Sequence, residues 1–473
     1  MNDHRDRPVD LVVYGATGYT GALIAEAAAR RARETGGAFT FALAGRSADK
    51  LETVASDVGA GDAPRFVADA ADDAALADLA RSARTVVTAV GPYQLYGEPL
   101  LKACIAAGTD YLDLCGEPHW MRAMIDAHAA RAEEAGARIV FSCGFDSIPS
   151  DLGVAYLQDA ARARTGAPAK AVRAYLRRIV GDFAGGTAAS AQATVAAAFK
   201  DPTVLALLQD PFALTPGFAG PRQPAADAPR HDDDLGVWLA PFIMAPINSK
   251  NVHRTNMLRG FPYGEDFTYA EMVMAGAGEA GEAAAKAIAG DKRLFSEDAP
   301  KPGEGPTKAE REAGSYEFFF VGDTLDGGRI TASVAGDMDP GYGSTSKIIA
   351  ETALLLSETP RAGEEGPSGG VWTPTALLGD ALRRRLESHA GLAFHLDAEC
   401  RRTRAHPPPM RPRRQRPQTP ARAASPSASF WRARCASAWA TRSCSPSCRR
   451  SRAASACTTF RSCRSSWSRR SSG

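Results

Sequence analysis

The chain has 473 residues, 44% apolar and 23% charged, a balance that excludes wholesale disorder and leaves length for two ordinary domains. Its net charge of +2 hides an asymmetry: residues 1–400 carry 38 basic against 54 acidic side chains, while residues 401–473 hold 18 arginines and no lysine, aspartate or glutamate. An acidic body excludes the basic footprint of a nucleic-acid binder, and scattered histidines with no CxxC pair before residue 401 exclude a structural metal site or disulfide framework.

The charged start "MNDHRDRPVD" runs directly into a strand rather than a secretory signal. Residues 9–150 then alternate apolar runs with alanine-rich helical stretches. The runs are "VDLVVYG" (9–15), "FTFALAGR" (39–46), "PRFVADA" (64–70), "RTVVTAVG" (84–91), "TDYLDLCG" (109–116) and "ARIVFSCG" (137–144). Segments such as "DDAALADLARSA" and "EPLLKACIAAG" have helical spacing, and glycines 108 and 136 end helices before the next strand. Strands apolar on both faces, alternating with helices, predict an α/β fold: a doubly wound parallel sheet of the Rossmann type.

The first crossover reads "VVYGATGYTGALIAEA" (12–27). A strand ending in glycine and feeding a helix aims backbone N–H groups at one point, where the helix end adds about half a positive charge, so a pyrophosphate fits. Gly15 permits the tight turn, Gly18 lets the backbone approach phosphate, and Gly21 lets helix and strand pack closely, in a GxxGxxG spacing one residue wider than the common GxGxxG. The nucleotide is chosen at the end of the second strand. An acid there would accept from an NAD ribose, but "LAGRS" offers Arg46 and Ser47, which suit the 2′-phosphate of NADP over NAD. Asp69, at the end of the third run, is placed for the adenine amino group, and Gly91 and Pro92 let the backbone run beside the nicotinamide half.

After residue 150 the pattern changes. "AVRAYLRRI" (171–179), "SYEFFFVG" (315–322) and "GRITASVAG" (328–336) read as antiparallel strands, the last two joined through Asp326-Gly327. Between them lie a Pro- and Asp-rich loop (215–234), an alanine-rich helix (about 268–289) and a charged Pro/Gly stretch (290–314). Helices follow in "GYGSTSKIIAETALLLSE" and "PTALLGDALRRRLESH". From about Arg401 the chain holds arginine, serine, alanine, proline and cysteine without apolar periodicity. It reads either as a disordered basic arm or, better, as the product of a GC-rich frame entered out of phase.

"VVYGATGYTG", "LAGRS", "AVGPYQLYGEPLLKACIAAGTDYLDLCGE" and "CGFDSIPSDLG" together resemble the saccharopine dehydrogenase-like oxidoreductases, most nearly the branch of trans-acting enoyl reductases. "GGTAASA" (185–191), "WLAPFIMAPINSKNVHRTNML" (238–258) and "GDMDPGYGSTSKIIAETALLL" (336–356) extend the resemblance over about residues 8–398. It implies a nucleotide-binding domain (1–150), an inserted mixed α/β domain (151–336) and closing helices that pack back on the first (337–398), before the tail (399–473). It also implies that Gly15, Ala16, Thr17, Gly18, Tyr19, Thr20 and Gly21 form the phosphate loop. The activity it implies is reduction of a double bond on a polyketide-derived lipid or glycolipid precursor. True saccharopine enzymes instead act on a carbon–nitrogen bond.

Hydride transfer needs an acceptor carbon held against the nicotinamide and a proton donor on the other side. Candidates near strand ends are Tyr93, Asp113, Glu117, His119, Asp146 and Tyr342. Tyr93 and Asp146 are favoured, Tyr93 because it follows the Gly-Pro bend and Asp146 because it sits at the crossover out of the first domain. The opposing structural readings are that Asp146 caps a helix and Tyr93 only packs. The apolar runs "TVLALLQDPFALTPGF" (203–218) and "GVWLAPFIMAPIN" (236–248) line either a slot for an acyl chain or a core. Arg173, Arg177, Arg178 and Arg254 show no clamp spacing for a dicarboxylic amino acid, so a hydrophobic or carrier-bound acyl substrate is expected. A cytoplasmic protein with no membrane-spanning helix is also expected; peripheral membrane contact and a homodimer are compatible with the pattern. The alternatives are a nucleotide-binding protein without chemistry at a lipid surface, and a saccharopine-type amino-acid dehydrogenase.

Overall fold

The computed structural model describes residues 6–397 apart from 183, 297, 302 and 362–365. The arginine-rich tail, and the expectations for it, lie outside the described residues. The first half runs β1 (Val9–Tyr14), α1 (Tyr19–Glu34), β2 (Phe41–Gly45), α2 (Ala48–Asp57), β3 (Arg65–Val67), α3 (Asp73–Ser82), β4 (Ala83–Thr88), α4 (Tyr93–Ala107), β5 (Asp110–Asp113), α5 (Pro118–Ala135), β6 (Arg138–Val140) and α6 (Ile148–Thr165). Asp72 caps α3 by accepting from the Ala74 and Ala75 amides, and Gly108 and Gly136 end α4 and α5 in the left-handed region at φ 63° and 69°.

The second half continues with β7 (Ala171–Val180), α7 (Gly185–Lys200), α8 (Pro202–Gln209), β8 (Arg230–Asp232), β9 (Val237–Pro241), α9 (Ala245–Leu258), β10 (Thr268–Gly276), α10 (Gly278–Ala289), α11 (Lys308–Ala313), β11 (Ser315–Asp323) and β12 (Arg329–Gly336). A π-helical turn (Pro340–Ser344) leads into α12 (Thr345–Glu358), followed by β13 (Gly370–Trp372), α13 (Pro374–His389) and β14 (Leu392–Leu396).

The first sheet is parallel throughout, in the order β13-β6-β5-β4-β1-β2-β3, with the strand reversal between β1 and β4 that opens a ligand crevice in doubly wound folds. The second sheet, β14-β12-β11-β7-β10-β9-β8, is mixed: β7 and β10 are parallel and the other pairs antiparallel. Helix α6 leaves the end of β6 and lies against β11 and β12. It comes so close that a Cβ on Gly153 would stand 2.3 Å from the Phe320 ring. One apolar cluster joins Leu11, Val13 and Val140 of the first sheet with Phe318, Phe320 and Val334 of the second, while α12 packs on β1, β4 and β5.

Two expectations need correction. The single alanine-rich helix over 268–289 is a strand and a helix: Tyr269 pairs with β7, Met272 and Val273 pair with both β7 and β9, and the chain breaks at Gly276 (φ 113°) before α10 starts. Alanine content hid the switch in period. The segment after 337 is not only helical. Its short strands β13 and β14, each preceded by glycine, extend the first and second sheets and are too short to show a period. The three strands read as antiparallel are so, β11 pairing antiparallel with both β7 and β12.

At the amino ends of the strands a buried ion network ties β5 and β6 to the end of α12. Arg138 Nε donates to both oxygens of Asp110 (3.1 Å), and Arg138 reaches the Leu356 and Thr359 carbonyls (2.9 and 3.0 Å). Arg361 adds a bond to Asp110 (2.8 Å). Both members of the central pair are inaccessible, so removing Arg138 breaks a buried pair and leaves the Asp110 carboxylate with Arg361 alone. Arg138→Met should cost about 3–5 kcal/mol in denaturant unfolding, and a loss under about 1 kcal/mol would contradict this account of the pair.

Candidate active site

The first crossover is built on contacts that admit no side chains. Gly15 adopts φ +85°, and a Cβ there would lie 2.6 Å from Val90; a Cβ on Gly21 would lie 2.0 Å from the Gly15 carbonyl oxygen. The Gly15 and Ala16 amides donate to Ala44 (2.9 and 3.0 Å), pinning the turn to β2, and the Gly18 amide donates to Gly15 (2.9 Å). The amides of Tyr19, Thr20 and Gly21 have no intrahelical acceptor. No side chain caps α1 and its first turn holds no acid, so its positive end faces the crevice beside exposed Gly18.

Two neighbouring helix ends are already taken. Glu117, buried after β5, accepts from the Tyr93 and Gln94 amides at the start of α4 (2.8 and 2.9 Å). At α7, the Ala184 amide donates to the Tyr342 hydroxyl and the Gly185 amide to the Glu304 carbonyl. A diphosphate therefore fits α1, where a cradle without side chains meets unpaired amides.

At the end of β2 Arg46 is exposed, with no hydrogen bond or ion pair among the described residues, and the Ser47 hydroxyl accepts from the Lys50 amide to start α2 (3.4 Å). The Thr17 side chain stands over Gly45, 3.4 Å from where a Cβ would be. Asp69 is exposed across from Arg46 and accepts from the Ala71 amide (2.9 Å). Burial pushes the Tyr14 phenol between them up to about 12, Asp69 adding to the rise and Arg46 opposing it.

At the reacting end, the predicted residues separate. The Tyr93 hydroxyl donates to the Thr88 carbonyl and accepts from the Leu114 amide (both 3.1 Å), so it is turned into the core and locked. Asp113 accepts from the Cys115 and Ser142 amides and the Tyr111 hydroxyl (2.9, 3.0 and 3.0 Å), tying β5 to β6. Glu117 is the α4 cap, and His119 holds both ring nitrogens without a partner among the described residues. Asp146 differs: it keeps partial exposure, caps nothing among the described residues, and burial raises its carboxyl to about 6.

Facing Asp146 is Tyr342 of the π-turn. Its hydroxyl accepts from the Ala184 amide and bonds the Thr187 hydroxyl (2.9 Å), its ring meets Tyr19 edge-on at 5.3 Å, and burial chiefly, with Asp146 and Asp339 near it, raises its phenol. Helix α7 thus closes over the crevice, with Ser190 against Gly91. The pairing of Thr187 with Tyr342 joins residues 155 apart, which no local pattern reveals; Tyr342 itself carried only the signal of a tyrosine before a helix.

The two apolar runs line one cavity of about 900 Å³ between the second sheet and α8, α9 and α10. Leu208 and Pro211 come from the first run, Phe242, Ile243 and Pro246 from the second, and Leu176 and Val273 from the sheet. Phe242 packs edge-on against Phe318, which contacts Phe145 beside Asp146, so buried aromatic rings form a packed wall between this side of the cavity and the crevice.

Residues 11–140 match the saccharopine dehydrogenase NADP-binding domain. A Mycobacterium tuberculosis protein provisionally named a trans-acting enoyl reductase is 40% identical over 414 residues, spanning 82% of this chain and 97% of its own length. The trans-acting enoyl reductase of Mycobacterium ulcerans is 36% identical over 411 residues, spanning 80% and 96%. Among solved structures, apo saccharopine dehydrogenase (L-Glu forming) from Saccharomyces cerevisiae is 12% identical, covering 83% of this chain and 100% of that one at a TM-score of 0.45. The chain belongs to the saccharopine dehydrogenase-like oxidoreductases, in the branch of the trans-acting enoyl reductases, and its first domain matches their NADP-binding domain.

Proposed function

We propose that the protein is an NADPH-dependent reductase of the carbon–carbon double bond in an enoyl group on a lipid or polyketide precursor, carried as a hydrophobic acyl thioester. The observation that carries this reading is the uncapped glycine cradle on α1 in the same crevice as a protonatable carboxyl at Asp146, with an apolar cavity on the far side of the aromatic wall next to it. The relatives over most of the chain's length support the enoyl group as the acceptor.

The turn 15–21 holds the diphosphate, and Arg46 with Ser47 holds the 2′-phosphate. A coenzyme held by these residues would be the source of the hydride for the β-carbon of the substrate. The chain's own task is to hold the acyl group under α7 and deliver a proton to the α-carbon, restoring the balance of charge. Asp146 is the donor favoured by its partial exposure and raised pKa, with the Thr187–Tyr342 pair across from it fixing the roof of the crevice. Tyr93 has no such role in this reading, because both hydrogen-bonding directions of its hydroxyl end on the backbone.

Two measurements follow. Arg46→Ala should weaken NADPH binding about tenfold or more while leaving NADH unchanged, the scale of one charge-assisted hydrogen bond; equal loss for both coenzymes in a calorimetric titration would remove Arg46 from the 2′-phosphate. A carboxyl with a raised value donates only below it, so turnover with an enoyl thioester should fall about tenfold per pH unit above about 6. Asp146→Asn should lower kcat and flatten that limb, and an unchanged profile would clear Asp146 of proton transfer.

A further inference from the structure

The cavity between the second sheet and α8–α10 is apolar over most of its wall but includes one buried ammonium. Lys250, on α9, borders the cavity and is 2% exposed. Its Nζ donates to the Leu208 carbonyl (2.8 Å) at the end of α8 and to the Pro246 carbonyl (3.1 Å). An ammonium has three N–H donors, so two carbonyls leave one. Lys250 forms no ion pair among the described residues, whereas a buried charge ordinarily has an opposite partner.

Part of this arrangement is structural, since Lys250 and Arg254 together strap the segment 208–214 to α9, Arg254 through the Leu214 carbonyl (2.6 Å). That role needs hydrogen-bond donors but leaves the positive charge uncompensated. The groups facing Lys250 do not neutralise it. Burial pushes its ammonium down to about 8 despite the opposing charge of Asp210. His253, on the next turn of α9, is held down at about 3 by burial and by Lys250 itself. Elsewhere on the wall Asp291 is paired with Arg293, and Glu271 accepts from Asn248, Ser150 and Tyr269 and is pushed up to about 7 by burial; Asp227 is the other wall carboxylate. Lys250 stands five residues into α9, about 7.5 Å along the helix from its start, which lies three residues beyond Phe242 and the crevice.

We propose that this cavity is a binding site for an apolar chain bearing a carboxylate, with the carboxylate accepting the free N–H of Lys250. The shared chemistry has two sources, a free fatty acid or a carboxyl group carried on the far part of the acyl substrate. The proposal goes beyond the enoyl-reductase reading and does not require turnover.

The test is calorimetric titration of the full chain with dodecanoate and, separately, with 1-dodecanol. Dodecanoate should bind at least tenfold more tightly at pH 7. The advantage should disappear by pH 10, where the ammonium has lost its proton. Lys250→Met should erase the preference while both ligands still bind. Because that variant also loosens α8, a second one, Val273→Trp, fills the cavity from the sheet side with Lys250 intact and should abolish binding of both. Equal affinities at pH 7, a preference that survives Lys250→Met, or no binding of either ligand would overturn the proposal. Competitive inhibition by dodecanoate against a dodec-2-enoyl thioester would point to the free acid. A lowered KM for the same thioester with a terminal carboxyl would point to the substrate. Failure to reduce any thioester with NADPH, but-2-enoyl included, would remove the enoyl-reductase reading and leave the carboxylate site standing.

Discussion

The carbonyl of Gly15 approaches Gly21 so closely that any side chain at 21 would have to occupy the space of the oxygen, and the nucleotide site depends on that contact. It sets α1 hard against β1, with its first amides aimed at the point where the parallel sheet divides between β1 and β4. A helix end so placed is electropositive without a charged side chain, and it binds anions through hydrogen bonds that no water can satisfy equally well once the crevice is covered. Glycine is demanded at 15 by backbone conformation and at 21 by sheer proximity, two different physical reasons within one turn.

The rest of the molecule follows from what the parallel sheet cannot supply. Its loops end at the crevice, but its faces are covered by helices, so an apolar cavity needs surface from elsewhere. The second sheet provides it. Helix α6 carries the chain across with Gly153 pressed on Phe320, and the aromatic series Phe145, Phe318 and Phe242 connects the crevice floor to the cavity wall. Helix α7 returns over β4, held by Tyr342 through its first amide and Thr187.

The sequence made the parallel sheet legible because strands buried on both faces read as unbroken apolar runs, and the glycine turn because its spacing answers to backbone geometry. Arg46 was legible for the same reason: the end of β2 is a fixed place relative to the turn. What escaped was decided by tertiary contact. Strands β13 and β14 are stabilised by the edges they join rather than by their own pattern. Tyr93 follows a Gly-Pro bend just as a catalytic tyrosine would, yet its hydroxyl points inward because Thr88 and Leu114 offer it a complete set of partners. Helix α9 is the plainest case. "NSKNVHRTN" has the composition of a solvated face, but Asn248, Lys250, Asn251, His253 and Arg254 are all buried: loop carbonyls and neighbouring side chains accept from Asn248, Lys250, Asn251 and Arg254, and His253 packs against the Phe212 and Phe267 rings.

The central claim is that the open end of α1 is where a nicotinamide coenzyme anchors. A crystal structure of the NADPH complex tests it most directly. The account predicts pyrophosphate oxygens within hydrogen-bonding distance of amides in the 18–21 stretch, with the 2′-phosphate between Arg46 and Ser47. A coenzyme found bound away from that turn, or a crevice that excludes it at saturating concentration, would contradict the account.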